Sequence, residues 1–380
     1  MKATTSLPWR SLVHDRGRFV SSLLGVGFAV VLMFVELGFL NGAYDSVTRF
    51  IRLFDADLVI VSVAKEDMDP PAPFPRPRLM QALAQPEVAG VEPLYSEALV
   101  EWYSPRGLTG EDVRVLAFDP EAAVFLSLDV RARQRLLLET DTGLADSRSR
   151  DLYGGLEVGD EGELAGRRLR IVGTFEGGID LANNGTLLIS DRQLAARFGG
   201  PDRLERVEFG LVRLRPEADR DAVRAELEGL LAGDVEVLTK EALEARIHEY
   251  WRRNQPVGSV FGLGLAVGFL IGGIISYQVL FNDINDHLPE LATLKAVGYR
   301  NGTLLSIALT QGLYLGLLAF GLGLAVSLVT YGALARVSGL LLELTVGRVA
   351  LVLALTLAMC TVAAAMAVQR AFRADPADLF

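Results

Sequence analysis

The stretch that determines the class of this protein is Val257–Phe281, with the sequence VGSVFGLGLAVGFLIGGIISYQVLF. Its 25 residues include no Asp, Glu, Lys or Arg. In a helix, roughly 20 apolar residues are long enough to cross the hydrocarbon core of a bilayer, which is about 30 Å thick. A buried helix of a soluble domain usually has an apolar run of only about 10–14 residues. The stretch therefore predicts a transmembrane helix.

Three other stretches of the 380-residue chain have the same character. Thr303–Ala335 and Val349–Gln369 lack charged residues over 33 and 21 positions, and Phe19–Tyr44 has one charge, Glu36, in 26. The sequence thus predicts a membrane protein with four transmembrane α-helices. We expect Phe19–Tyr44 to remain as a membrane anchor. Its apolar run is longer than the hydrophobic core of a signal peptide, and no small-x-small cleavage site follows it.

Basic residues near the predicted spans indicate the orientation. They precede the first helix, lie between the second and third, and follow the fourth: Lys2, Arg10, Arg16, Arg18, Lys295, Arg300, Arg370 and Arg373. Since cytoplasmic segments near the membrane are enriched in Lys and Arg, both termini are predicted to be cytoplasmic. Arg252 and Arg253 lie on the opposite side, but they end a long domain, and long domains cross the membrane largely regardless of charge.

The predicted layout alternates spans with segments outside the membrane. In chain order it is: 1–18, a cytoplasmic amphipathic segment; 19–44, helix one; 45–255, a large extracytoplasmic domain; 256–281, helix two; 282–302, a cytoplasmic loop; 303–335, helix three; 336–348, a short outer loop; 349–369, helix four; and 370–380, a cytoplasmic tail.

The large outer domain is predicted to have an α+β fold. Short β-like runs alternate with helix-like stretches: 56–63, 113–118, 168–175, 186–190 and 206–214 for strands, and 78–84, 191–198, 218–231 and 240–251 for helices. Thr239 is a plausible N-cap of the last helix, and Pro256 is expected to interrupt that helix at the membrane. Asp69–Pro77, with five prolines, is typical of a stiff, extended linker.

A search for catalytic or cofactor-binding motifs finds none that is specific. One cysteine, Cys360, and three scattered histidines do not indicate a disulfide or a metal centre. His248-Glu249 begins a zincin-like string, but Arg252 stands where the second histidine is needed. Ser62-x-x-Lys65 is a short pattern without its companion motifs, and we interpret it as a solvated strand end. The net charge of −10 does not indicate a nucleic-acid-binding protein.

Two features of the spans suggest helix contacts. Small residues recur at intervals of about four in the second and third spans: Gly258, Gly262, Gly264, Gly268, Gly272, Gly312 and Gly316. Such stripes let helix backbones approach closely, within the chain or across a dimer, although glycine is also common in membrane helices generally. Glu36 is an intramembrane carboxylate and hence a functional candidate, or a residue at headgroup depth.

The loop between the second and third spans carries the most specific pattern. Pro289 and Glu290 suit the first turn of a helix, and Gly298 suits its end. Leu291, Leu294 and Val297 recur every three residues as an apolar face. The pattern predicts a short helix that seats in a groove of another protein, or whose apolar face rests on lipid or on its own bundle.

This loop, DHLPELATLKAVGY at residues 286–299, resembles the E-x-x-x-L-K-A-x-G loop of FtsX/MacB-type ABC transporter permeases, and looks most like the DevC subfamily. Similar stretches recur along the chain: LPWRSLVHDRGRFV at 7–20, IVGTFEGG at 171–178, NGTLLISD at 184–191 and RADPADLF at 373–380. One helix, a large domain and then three helices is also that family's layout, with 256–373 as its FtsX-like permease domain.

The resemblance implies a non-catalytic permease subunit of the bacterial inner membrane, with its large domain, a MacB-like core domain, in the periplasm. It implies a homodimer, a separate ATPase that binds ATP and Mg, a periplasmic adaptor and a TolC-like outer-membrane duct. It also implies export by mechanotransmission, with a lipid, glycolipid or other hydrophobic molecule as the substrate. The role of coupling helix falls on the loop residues His287, Pro289, Glu290, Leu291, Leu294, Lys295, Val297, Gly298 and Tyr299. Glu36 departs from the neutral residue expected there.

Two other functions remain open on the sequence. One is a scaffold like FtsX itself, which regulates a periplasmic cell-wall hydrolase and transports nothing. The outer domain of about 210 residues with its Pro-rich insert favours export, since FtsX ectodomains are usually smaller. The other is a membrane enzyme, which lacks support because no catalytic set is recognisable.

Overall fold

A computed structural model describes residues 15–105, 110–231, 233–286, 301–338, 340 and 342–373. The chain divides into two compact units. One contains the apolar helices, and the other consists mainly of residues 42–256.

The described ranges contain nine α-helices: α1 Arg16–Leu53, α2 Pro77–Leu83, α3 Leu128–Arg133, α4 Asp191–Arg197, α5 Arg220–Leu230, α6 Lys240–Asn254, α7 Val257–Asp286, α8 Asn301–Ser338 and α9 Val346–Arg373. They also contain eleven strands: β1 Leu58–Ser62, β2 Phe74–Pro75, β3 Val88–Tyr103, β4 Glu111–Phe118, β5 Thr142–Asp146, β6 Glu161–Leu164, β7 Arg167–Phe175, β8 Thr186–Ser190, β9 Arg206–Val207, β10 Phe209–Leu214 and β11 Val235–Thr239.

Four of these helices, α1, α7, α8 and α9, are long and apolar enough to cross a membrane. The prediction of four such helices, with a large α+β domain between the first and the second along the chain, is confirmed. The helices extend further than the apolar runs, since α7 continues to Asp286 and α1 continues to Leu53. A single helix of 38 residues therefore begins in the membrane unit and ends in the outer domain.

The core of the membrane unit forms around α1. Val30, Met33 and Phe34 of α1 are fully buried together with Leu315 of α8 and Met359 of α9. Because lipid provides no hydrophobic force between helices, close van der Waals packing holds such a bundle together.

The outer domain is built on a mixed sheet of nine strands within the described residues, in the order β11-β1-β10-β3-β4-β8-β5-β7-β6. The long strand β3 belongs to both halves, because Val88–Leu94 pairs with β10 and Tyr95–Trp102 pairs with β4. The end of β3 also pairs with β6, so the second half of the sheet returns to β3 and closes on itself. The β4–β8 and β5–β7 pairs are parallel and the other pairs are antiparallel.

The two faces of this sheet have separate apolar cores, as the alternation along β1 requires. Leu58 and Ile60 point into one cluster, and Val59 and Val61 point into the other. The second cluster also contains Phe50 and Ile51 from the last turns of α1, Phe54 just after that helix, and the inner face of α6 (Leu243, Ile247 and Trp251). The end of α1 is thus part of the core of the outer domain.

Two local predictions at the ends of α6 are confirmed. The Thr239 hydroxyl accepts a hydrogen bond from the backbone N–H of Ala242 at 3.1 Å, which makes it the N-cap. Gln255, in an extended conformation, and Pro256 separate α6 from α7.

Two other expectations were wrong. Lys65 is buried, and its Nζ lies 2.8 Å from the Glu208 carboxylate and donates to the carbonyl oxygen of Pro70 at 2.9 Å. The backbone N–H of Ala72 donates to the same carboxylate at 3.2 Å. These contacts fix the Pro-rich segment to the domain, so it is not a linker, and Lys65 is not a solvated strand end. The reason is the partner, Glu208, which is 143 residues away in sequence.

Candidate functional site

Within the outer domain, α1 and α6 are joined by polar contacts at intervals of four residues. Tyr44 and Thr48 of α1 contact His248 of α6, and Arg52 of α1 contacts Glu244 of α6. Lys240 of α6 contacts the carbonyl oxygen of Phe54, just after the end of α1. Residues four apart lie on one face of a helix, so these positions form one seam between antiparallel helices.

His248 occupies the end of this seam nearest the start of the domain. Its Nε2 lies 3.0 Å from the carbonyl oxygen of Tyr44 and 3.2 Å from the Thr48 hydroxyl. Because a carbonyl oxygen only accepts, Nε2 carries the hydrogen in the first contact. In the sequence, His248 belongs only to an incomplete metal-binding motif, whereas in the fold it has a structural partner on α1.

The other end of the seam closes the C-terminus of α1. Arg52 pairs with Glu244 at 3.1 Å, and Lys240 Nζ donates to the carbonyl oxygen of Phe54 at 3.1 Å. A cation near the last carbonyls of a helix is favourable, since those groups lack partners within the helix. The seam therefore fixes α1 and α6 to each other along about three turns.

The Phe50 side chain, on the core side of α1, is enclosed by a socket that we define as Arg114, Phe175 and Gly177. The Arg114 guanidinium lies 5.4 Å from the Phe50 ring centroid, and the Phe175 ring meets it edge-on at 6.4 Å. A Cβ at Gly177 would lie 2.7 Å from Phe50 Cζ, so only glycine fits there. Gly178 has φ of +93°, a conformation that glycine adopts readily.

Buried ion pairs hold this socket in place. Arg114, which is 2% exposed, contacts Asp69 at 2.6 Å and Asp180 at 2.5 Å. Asn183 donates to Asp69 at 2.7 Å and so connects the two acids. Leaving one charge of such a buried pair without its partner costs about 3–5 kcal/mol.

Arg114 and Asp69 stabilise each other's charged forms, and Asp180 stabilises that of Arg114. Burial disfavours the guanidinium charge, but Asp180 and Asp69 outweigh it and raise the pKa of Arg114. Burial alone would raise the pKa of Asp69, but Arg114 holds that pKa below its ordinary value. Arg114 and Asp69 are therefore both charged at neutral pH.

In the membrane unit, the structure places three of the predicted glycines of α7 against α1. A Cβ at Gly264 would overlap the Glu36 carboxylate, one at Gly268 would lie 3.2 Å from Met33, and one at Gly272 would lie 2.9 Å from Ala29. The α1 partners descend as the glycine numbers rise, as expected for antiparallel neighbours.

The other predicted glycines lie elsewhere. Gly312 and Gly316 of α8 face Cys360 of α9, with notional Cβ distances of 2.8 Å to its carbonyl oxygen and 3.3 Å to its Sγ. Gly258 lies in the first turn of α7, and a Cβ at Gly262 would meet no atom within 4 Å. The seven glycines therefore do not form one stripe.

The sequence pattern did not predict a close contact between α1 and α8. A Cβ at Gly323 would lie 3.2 Å from the carbonyl oxygen of Gly27, and the Tyr331 hydroxyl donates to the carbonyl oxygen of Phe34. Gly38 leaves room for the Tyr331 ring. These glycines are visible in the sequence, but their spacing along each helix is irregular.

Glu36 lies half-buried where α1 meets α7. No residue in the described ranges donates a hydrogen bond to its carboxylate. Phe39 and Phe261 stack at 5.8 Å one turn away on the same two helices.

At the end of the bundle where α1 begins and α7 ends, polar residues connect three helices. Arg18 of α1 pairs with Asp286 of α7. Asp283 of α7, which is buried, accepts a hydrogen bond from Gln311 of α8 at 2.9 Å. The predicted coupling helix, His287 to Tyr299, follows Asp286 directly and lies outside the described residues.

The described part of the chain contains no group of three or more His, Cys, Asp or Glu side chains that could hold a metal ion. The α1 helix contributes residues both to the core of the apolar-helix unit and to the core of the outer domain.

The solved structures that this chain resembles include two outer domains. The periplasmic region of MacB from Actinobacillus actinomycetemcomitans is 10% identical, with a TM-score of 0.36, over 51% of this chain and 94% of that chain. The extracellular domain of the ABC-type transporter YknZ from Gram-positive bacteria is 12% identical, with a TM-score of 0.34, over 48% of this chain and 99% of that chain. No match was found among curated proteins.

Two family models together match most of the chain. The model for the MacB-like periplasmic core domain matches residues 19–230, and that for the FtsX-like permease C-terminal region matches residues 262–376. Such permeases are generally not catalytic themselves, and membership implies an ABC ATPase partner and a dimer. The chain belongs to the MacB/FtsX-type ABC transporter permeases, as a multi-pass membrane protein with an extracellular domain.

Proposed function

We propose that this protein is the permease subunit of an ABC-type export complex, most similar to the DevC subfamily. The observation that carries the proposal is α1, one helix of 38 residues that begins in the membrane bundle and ends in the core of the outer domain. In this proposal it transmits force that a separate ATPase generates.

The proposed mechanism needs no catalytic residue in this chain. ATP binding and hydrolysis by the partner move the coupling helix, His287 to Tyr299, with Glu290, Leu294, Lys295 and Gly298 matching the family motif. The membrane helices carry this movement to the outer domain, which drives the substrate outward. A lipid, glycolipid or other hydrophobic substrate is the proposed cargo.

The proposed location is the bacterial inner membrane, with both termini in the cytoplasm and the large domain in the periplasm. The distribution of Lys and Arg near the spans supports this orientation. Labelling a cysteine at Lys295 in intact cells tests it: an impermeant reagent should not react, and reaction would place the coupling segment on the wrong side.

Co-purification from the native membrane tests the export function. We expect an ABC ATPase, a periplasmic adaptor and a TolC-like duct to accompany the protein. A cell-wall hydrolase bound in place of the adaptor and duct would overturn export and support an FtsX-like regulatory scaffold.

A further inference from the structure

The two ends of the outer domain are connected to the membrane bundle by different backbone. At residues 41–42 the chain passes from one unit to the other inside the continuous helix α1. At residues 255–257 it passes through Gln255 and Pro256, where α6 has ended and α7 has not begun. A continuous helix keeps its backbone hydrogen bonds and transmits a push or a twist, whereas a non-helical joint can bend.

The difference between the two connections determines which helix can carry force to the outer domain. The predicted coupling segment follows α7 and precedes α8, so α7 and α8 receive the movement first. The joint at Pro256 makes α7 a poor route to the outer domain. Force that reaches the outer domain through α1 must first pass from α7 and α8 to α1.

Two polar contacts lie at the end of the bundle from which the predicted coupling segment follows; the first reaches α1, and the second joins α7 to α8 beside it. The Arg18–Asp286 ion pair joins the first turn of α1 to the last residue of α7. The Asp283–Gln311 hydrogen bond of 2.9 Å joins α7 to α8, with both residues buried. Ionisable residues that are buried between membrane helices are rare and are usually functional.

We propose that these four residues form a clasp that passes movement from α7 and α8 to α1, and that α1 is the main route of force to the outer domain. The clasp residues are positioning residues, because they act through the helices they join. The Asp283–Gln311 contact is the rigid part of the clasp, because both of these residues are buried. The Arg18–Asp286 pair is about half exposed, so we assign it a geometric role with little contribution to stability.

The clasp rests on the proposed function. Its test has to measure movement of the outer domain, because a loss of stability alone would not show that force is transmitted. In the full complex with its ATPase, a spin label at Arg168→Cys reports the distance between the two outer domains of the dimer. The Arg168 side chain is 79% exposed, and the native Cys360 is buried, which favours labelling at one position. The distance is measured without nucleotide and again with ATP and vanadate.

In the wild-type complex we expect a nucleotide-dependent shift of this distance. Arg18→Asp and Gln311→Leu should lose the shift while ATP hydrolysis continues. The charge exchange Arg18→Asp with Asp286→Arg should restore it. Arg16→Asp is the matched control, because Arg16 forms no ion pair with any residue in the described part of the chain, and it should keep the shift.

A second pair of variants tests the route itself. Two glycines inserted after Asn41 should abolish the shift, because they interrupt α1. Two glycines inserted after Gln255 should preserve it, because the backbone there is already non-helical.

The outcomes separate the two levels of the proposal. A full shift in Arg18→Asp and Gln311→Leu, or no restoration by the charge exchange, overturns the clasp. Equal effects of the two insertions overturn α1 as the main route. A wild-type complex without any nucleotide-dependent shift overturns the proposed function.

Discussion

The ring of Phe50 lies beneath the guanidinium of Arg114, with 5.4 Å between the Arg114 Cζ and the ring centroid. Phe50 belongs to α1, which begins among the membrane helices, and Arg114 belongs to β4 in the middle of the outer sheet. Since Asp69 and Asp180 form ion pairs with Arg114, a displacement of the end of α1 acts on a buried, ion-paired residue of the sheet.

Replacing Phe50 with Ala should therefore destabilise the outer domain. Removal of a buried Phe side chain typically costs about 3–5 kcal/mol, and the ion-paired Arg114 cannot collapse into the cavity. Thermal unfolding of the full chain in detergent measures the loss. Leu128→Ala is the control, because Leu128 is 80% exposed and should leave the melting temperature unchanged. Equal melting temperatures for both variants would contradict the socket.

Two neighbouring acids should respond to pH in opposite directions. The pKa of Asp69 is lowered in the folded protein, because Arg114 outweighs the effect of burial. Its contribution to stability is complete above the ordinary Asp pKa of about 3.9 and is lost as pH falls through the lower folded value. Asp69→Asn should lower stability at pH 7 and flatten its decline in acid.

Asp67 has the opposite sign, because burial raises its pKa despite a hydrogen bond from the Trp251 indole. Its contribution is complete below the ordinary pKa and is lost as pH rises through the higher folded value. Asp67→Asn keeps an acceptor for Trp251 and should raise stability at pH 7 but not at pH 3. Melting temperatures across this range compare the variants, and parallel profiles would show that the assigned environments are wrong.

Gly264 and Gly262 provide a matched test of the contact between α1 and α7. Gly264→Val forces a side chain into the space of the Glu36 carboxylate; because that carboxylate ends a flexible side chain that can turn aside, we expect a loss of about 1 kcal/mol, the lower end of the cost of overpacking. Gly262→Val has open space and should be tolerated. The melting temperature of the detergent-solubilised protein is the measurement. Comparable losses for both would mean that the two helices do not meet at Gly264.

Replacing Leu294 or Gly298 with Asp tests the coupling helix. A charge on the predicted apolar face, or a side chain at the predicted helix end, should abolish the stimulated ATP hydrolysis of the partner while membrane insertion is preserved. Stimulated hydrolysis by the reconstituted complex is the measurement, and insertion is checked by protease protection. Unchanged stimulation would refute the assignment of this helix.

The sequence predicted the elements whose pattern is local. The four apolar helices, β4, β7, β8 and the Thr239 cap each show their character within a few residues. It did not predict β3, which contains Pro93 and a bulge near Leu99, where φ is +54°. The bulge interrupts the alternation of apolar and polar residues that identifies a strand.

The candidate site was harder to predict because its contacts are distant in sequence. Thr48 and His248 are 200 positions apart, and Lys65 and Glu208 are 143 apart. Charged residues such as Lys65 and Arg114 are usually exposed, and only a partner brought in by the fold makes their burial favourable. The requirement for glycine at position 177 likewise becomes visible only when the fold brings the Phe50 ring against it.

The sharing of β3 between both halves of the outer sheet has a mechanical consequence. At about 3.3 Å per residue, its 16 residues form a ribbon roughly 50 Å long. Where two halves of a domain are joined by a loop, tilting one half leaves the other at rest. Here β3 is hydrogen-bonded to β10 in one half and to β4 in the other. A tilt imposed on the half that contacts Phe50 therefore has to bend β3 or move the other half of the sheet with it.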